Sequence, residues 1–182
     1  MMVDEDTVWY YTKERLNSGN FRIIGGEPPG GSSPYPRIEL REPGNTSKGS
    51  RGSRKFDLYI LHDGCIILCE AKDSAAKVEK DIEKLNDTID SPEWAGALWD
   101  ALEQRRLVNR YTLASRQKFI ENRFNLLRKA LAIPPTSFYD PPSDFILLET
   151  DESRTSVRAG SAFPDANMLA ALEEQLEEHG RD

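Results

Sequence analysis

Residues 55–73 read KFDLYILHDGCIILCEAKD, with Asp63-Gly64 set between two runs of Ile, Leu, Phe and Tyr. An Asp-Gly pair between such runs predicts a two-residue hairpin, because a type I′ turn needs positive φ at both central positions. The register follows by counting. His62 pairs with Cys65, Leu61 with Ile66, Ile60 with Ile67, Tyr59 with Leu68 and Leu58 with Cys69, so Asp57 falls opposite Glu70. Both strands are apolar on two faces, with Phe56, Leu58 and Ile60 expected on one side of the first and Tyr59 and Leu61 on the other. Ile66 and Leu68 are set against Cys65, Ile67 and Cys69 on the second. Strands of this kind belong in the middle of a sheet covered by helices.

The hairpin therefore carries two acids across one ladder, with Lys72 two residues past Glu70 and on the same face. Like charges directly opposite destabilise a sheet, and burial raises a carboxylate pKa. A cation between the two acids resolves this, and hard divalent ions such as Mg²⁺ take carboxylate oxygens while keeping several waters. The plainer alternative is a wet strand end with Lys72 as a surface counter-charge.

Asp57 followed by Glu70-Ala71-Lys72 resembles the PD-(D/E)XK nuclease superfamily, with Phe56 where that family has proline. In motif the resemblance covers residues 55–73, and in topology about residues 4–150. It implies a three-layer α/β/α restriction-endonuclease-like core with a central mixed sheet, here with an inserted helical region. The family core runs helix, three strands, helix, fourth strand. The implied activity is Mg²⁺-dependent DNA endonucleolysis, with Mn²⁺ as an alternative metal. Asp57, Glu70 and the carbonyl of Ala71 would hold the metal, and Lys72 would orient or help deprotonate the attacking water or contact the phosphate. Glu14, on the first helix, is the candidate for a further acid. A homodimer is the expected assembly, since cutting both strands needs two sites. The alternatives are a Holliday-junction-resolvase-like or repair nuclease, a catalytically silent nucleic-acid-binding or scaffold subunit of the same fold, and an acidic α/β adaptor that binds no nucleic acid.

The net charge of −7 over 182 residues is unevenly spread. Residues 105–129 hold eight basic residues and one acid, and residues 37–55 six basic residues and two acids. A basic face on an acidic body is compatible with phosphate binding, although a solvated helix face gives the same pattern. Lys48, Arg51, Arg54, Lys77, Arg116 and Arg123 are the candidate nucleic-acid contacts. Lys77 with Asp81 and Lys80 with Lys84 also fit ordinary surface positions at i, i+4. Cys65 and Cys69 lie four apart on one strand, too far to bridge, and suit apolar packing in the reducing cytoplasm. No apolar run approaches the length of a membrane span. His62 belongs to the turn, and His179 has no assigned role.

The chain reads as one domain over 1–182, with its core at about 4–90 and 140–160, a helical region at about 93–132 and a last helix at about 165–178. A first helix starts at Asp4 and ends before Gly19, NFRII is a short strand, and RIELR alternates as a half-buried strand. In residues 74–89, Val78, Ile82, Leu85 and Ile89 form one helical stripe. A helix over 93–110 turns Trp94, Leu98 and Ala101 or Leu102 inward, and one over 112–132 carries Leu113, Ile120, Phe124, Leu127 and Leu131. DFILLET is a buried strand and Thr155–Arg158 a short one. The last helix has Leu169, Leu172 and Leu176 inward.

Overall fold

The computed structural model describes residues 3–28, 34–43, 53–107, 115–136 and 138–179. Helix α1 (Glu5–Arg15) leads into strand β1 (Arg22–Gly26), and the hairpin follows as β2 (Leu58–His62) and β3 (Cys65–Ala71). A 3₁₀ turn (Ala75–Lys77) opens helix α2 (Glu79–Asp90), then come α3 (Pro92–Gln104), α4 (Arg116–Glu121) and α5 (Arg123–Leu126). Strands β4 (Leu127–Ile133), β5 (Phe145–Thr150) and β6 (Thr155–Ala159) precede helix α6 (Ala166–His179). The six strands form one mixed sheet in sequence order. β1, β2 and β3 are antiparallel, β3–β4 and β4–β5 parallel, and β5–β6 antiparallel.

The hairpin register is the one counted from the turn, from His62↔Cys65 to Leu58↔Cys69. Asp63 and Gly64 have φ of 48° and 79°, as a type I′ turn requires. The sheet is covered on both faces. On one side Tyr59, Ile66, Leu68, Leu131 and Leu147 pack under Val78 at the N-cap of α2, Leu85 and Ile89 of α2, Leu98 and Leu102 of α3, and Phe119 of α4. On the other, Leu58, Ile60, Ile67, Ala130 and Leu148 pack under Val8 and Trp9 of α1 and Met168, Leu172 and Leu176 of α6. The architecture is therefore α/β in three layers.

Several expectations are corrected. The helix expected over 112–132 is helical only at Arg116–Glu121 and Arg123–Leu126, and 127–133 is the fully buried strand β4 between β3 and β5. Leu127, Leu131 and Ile133 alternate with Ala130 and Ala132, so each face meets its own core, and tertiary position overrides the helix propensity of Leu, Ala and Lys. Residues 37–41 form no named strand. Ile38 and Leu40 are buried as the alternation implied, but only Leu40 makes a bridge, to Arg54. Met168 rather than Leu169 is the buried residue in the first turn of α6.

Phe56 lies on the face of Tyr59, not with Leu58 and Ile60. Its N–H donates to the Tyr59 hydroxyl at 3.2 Å, which lifts the chain out of the strand before Leu58. The same hydroxyl donates to the Ile38 carbonyl at 3.1 Å and thereby ties down residues 37–41. Both bonds are buried, so Tyr59→Phe strands two backbone groups and is expected to cost about 1–3 kcal/mol of unfolding free energy. Urea denaturation at neutral pH measures it; a loss within a few tenths of a kcal/mol would show that this hydroxyl does not hold the entry to β2.

Candidate functional site

The ladder of β2 and β3 stops one step short of the two acids, and side chains complete it. The Asp57 N–H donates to Glu70 Oε1 at 3.3 Å, and the Ala71 N–H donates to Asp57 Oδ2 at 2.8 Å. Each acid thus accepts from backbone at the other's strand end. The Asp57 carbonyl accepts from Trp9 Nε1 at 2.8 Å and from the Glu27 N–H at 3.1 Å. Gly26 passes beside it at φ 155°, and an added Cβ would stand 2.5 Å from that carbonyl oxygen. Backbone close approach explains a glycine here. Asp57 is therefore held through its N–H, its carbonyl and its carboxylate.

Glu70 is 4% exposed. Lys84, one turn into α2, brings Nζ to 3.1 Å from Glu70 Oε1 and donates to the Lys55 carbonyl at 2.8 Å. Lys72, past the end of β3, places Nζ 3.6 Å from Glu5 of α1 and 3.7 Å from Asp81 Oδ2 of α2. Asp81 is 7% exposed, and this Oδ2 is buried with no hydrogen-bond partner. Four carboxylates and two ammonium groups thus gather where the first turns of α1 and α2 flank the C-terminal end of β3.

Burial pushes the Asp57 carboxyl up to about 6, with the Ala71 N–H and Lys84 pulling it down and Glu5 and Asp81 adding to the rise. Glu70 lies well above the usual carboxylate range, first from burial and then from the Asp57 charge, with Lys84 opposing both. Burial works against the Lys72 charge, but Asp81, Glu5, Asp57 and Glu70 outweigh it, so its pKa is raised and the ammonium form is favoured.

The residues expected in the site divide into those that meet and those that do not. Asp57, Glu70 and Lys72 share one cluster, and Ala71 contributes its N–H to Asp57. Glu14 does not join them. It is an exposed side chain that pairs with the buried Lys13, about 13 Å along the helix from Glu5 at ~1.5 Å per residue. The helix presents its N-terminal turn to the cluster, so Glu5 is the acid it brings. Asp81 and Lys84 were grouped with surface positions, and both correct that: i, i+3 on α2, they line the cluster beside the apolar stripe. Lys77 pairs with Asp73 rather than Asp81.

The expected phosphate contacts are mostly committed elsewhere. Arg54 bonds Asp87 and Thr88 and stacks on Trp94. Arg116 pairs with Asp100 at 2.9 Å. Arg123 donates to the carbonyls of Ile89, Asp90 and Ile120 and so caps the ends of α2 and α4, because helix termini leave carbonyls unpaired. Arg128 reaches Asp165, and Lys129 reaches Asp144 and Asn86. Lys48 and Arg51 lie outside the described residues. Cys65 and Cys69 are free thiols, His62 stacks on Phe21 beside the turn, and His179 meets Ser18 and Gln175.

Among the described residues, no set of three or more His, Cys, Asp or Glu stands close enough to hold a metal ion by itself. A hard cation that keeps several waters needs only one or two carboxylates. The Asp81 Oδ2, which has no hydrogen bond, and the Asp57 and Glu70 carboxyls, whose pKa values burial raises, fit such an ion, because all are buried carboxylate oxygens. Comparison with known proteins returns no matching family model, no matching curated protein and no matching solved structure.

The pKa of Asp57 gives a stability test. A carboxyl raised in the folded state stabilises the fold fully below its unfolded pKa near 4, and that contribution is lost as pH rises through about 6. Asp57→Asn lacks this loss. Relative to wild type it is expected to gain about 2 kcal/mol of unfolding free energy between pH 4 and pH 7. Urea titrations at the two pH values give the difference, and a constant gap would show that Asp57 ionises in the fold as it does in the unfolded chain.

Proposed function

We propose that the chain is a metal-dependent phosphodiesterase of the PD-(D/E)XK type, a restriction-endonuclease-like nuclease acting on DNA. The observation that carries this is the pairing of Asp57 with Glu70 at the end of a central hairpin, with Lys72 beside them. The element order supports it: helix, three antiparallel strands, helices, then β4 parallel to β3. Asp57 and Glu70 would hold the Mg²⁺, which supplies charge for the developing phosphorane-like oxygens and acidifies a water. The chain's own residues do the rest. Trp9, Glu27 and Ala71 fix Asp57, so one ligand is preorganised before any ion arrives.

Lys72 enters the reaction as an ammonium, because four acids surround it. Its two ion pairs, at 3.6 and 3.7 Å, are longer than hydrogen bonds, so a phosphate oxygen competes for it readily. Its role on this geometry is to bind and orient a phosphate oxygen; proton abstraction would first require the surrounding acids to be neutralised.

A second reading has its own observation. Arg54, Arg116 and Arg123 are engaged by carboxylates or carbonyls, and the sequence pI is about 5.0. A silent scaffold subunit of the same fold needs no free cationic face. Cleavage separates the two. Duplex, branched and single-stranded DNA and RNA are incubated with Mg²⁺, with Mn²⁺ or with EDTA. Metal-dependent cleavage is expected, falling on the order of 10²-fold or more in Asp57→Ala and Glu70→Ala, the scale of removing one preorganised charged group. Equal cleavage by wild type and variants excludes this site as its source, and no cleavage of any substrate favours the silent subunit.

A further inference from the structure

Lys84 is the lysine that touches the carboxylate pair. Lys72, the one the Glu70-Ala71-Lys72 motif points to, ion-pairs with Glu5 and Asp81 instead. Lys84 places Nζ 3.1 Å from Glu70 Oε1, the same oxygen that accepts the Asp57 N–H. Its second bond, to the Lys55 carbonyl, grips the chain two residues before Asp57, and Nζ lies 4.9 Å from the centre of the Phe56 ring. One residue earlier still, Arg54 grips the next turn of α2 at Asp87 and Thr88. Helix α2 thus fastens the segment that delivers Asp57, and the ammonium of Lys84 is the positive charge in direct contact with the pair.

We infer that Lys84 is an internal cation of the site, standing at Glu70 Oε1 and competing with a divalent ion for Glu70. This rests on reading Asp57 and Glu70 as the cation's ligands. The chemistry is simple. A divalent ion at Glu70 must share or displace the ammonium at Oε1, and two cations within a few ångströms repel. Removing the charge therefore tightens ion binding. A merely structural lysine has the opposite effect, because loosening residues 54–57 disorders the ligands and weakens binding.

The test is Mn²⁺ binding by titration calorimetry and by the electron paramagnetic resonance of free Mn²⁺, on full-length wild type, Lys84→Gln and Lys84→Arg. The exposed Lys77→Gln serves as control. Lys84→Gln is expected to bind Mn²⁺ about tenfold more tightly than wild type, with Lys84→Arg and Lys77→Gln unchanged. Circular dichroism melts on each variant show whether the fold is kept. Should Lys84→Gln unfold, Lys84→Met, which keeps the stem over Phe56, replaces it under the same expectation. Unchanged or weaker Mn²⁺ binding by the folded neutral variant overturns the inference, as does no binding by any form. The outcome is independent of cleavage. Tighter binding with no nuclease activity keeps Lys84 as the internal cation and rejects the proposed reaction. Cleavage with unaltered binding rejects Lys84 and keeps the reaction.

Discussion

Two ionised carboxylates are costly to bring together inside a sheet without opposing charge, hydrogen-bond donors or a retained proton, and this constraint shapes the surroundings of Asp57 and Glu70. Backbone meets part of it. Each acid accepts an N–H from the other strand end, and a carboxylate so bonded is less costly to bury. Lys84 of α2 adds an ion pair to Glu70, and Lys72 at the end of β3 pairs with the neighbouring acids Glu5 and Asp81. The compensation is incomplete, since both acids remain raised and Asp81 Oδ2 has no hydrogen bond. A fold selected for stability alone has no need of such a cluster. Incompletely compensated charge is the common signature of a site kept for function.

The position of the cluster follows from the topology. β3 is the strand at which the sheet changes from antiparallel to parallel, with β2 on one side and β4 on the other. Its C-terminal end is where α1 and α2 both present their first turns, so acids at the start of each helix reach it from opposite layers. Acids are favoured there by the helix dipole, and Glu5 and Asp81 occupy such positions. Open α/β sheets bind ligands at the carboxyl ends of strands for the related reason that the chain leaves a crevice where its connections diverge.

How far this was legible depended on how local the determining interaction is. The turn and its register involve adjacent residues and one backbone rule, so Asp63-Gly64 specified every pair from His62↔Cys65 to Leu58↔Cys69. The stripe of α2 was legible for the same reason: Val78, Leu85 and Ile89 repeat at helical spacing and are buried. β4 was not. LRKALAI is built from good helix formers, and Leu127 and Leu131 continue the spacing of Ile120 and Phe124, while Leu127, Leu131 and Ile133 also fit an alternating strand. Only its neighbours in the sheet decide between them. Asp81 and Lys84 were hidden differently. Charged residues at i, i+3 on an amphipathic helix match solvent exposure until the helix is docked over the end of β3. The resemblance implies an acid from the first helix, for which Glu14 is the candidate, but the chain does not state which end of α1 faces Asp57 and Glu70. Trp9 settles that by bonding the Asp57 carbonyl.

The basic residues make the same point about long-range context. Two stretches rich in Lys and Arg suggest a phosphate-binding face, yet much of that charge is spent inside the protein. Arg123 closes two helix ends, Arg54 couples α2 to the chain before Asp57, and Arg128 and Lys129 run from buried strand positions to carboxylates at the rim. Long side chains let a strand that is apolar on both faces carry ionic ends, because the stem packs while the head reaches an acid. On the proposed function, a substrate phosphate would be met by Lys72, whose ion pairs to Glu5 and Asp81 are long, at 3.6 and 3.7 Å. Affinity for a polyanion would then depend on cations held by the acidic cluster, rather than on a basic surface already in place. On that proposal, phosphate binding and metal occupancy would be coupled, with the ion supplying positive charge that the acidic body lacks.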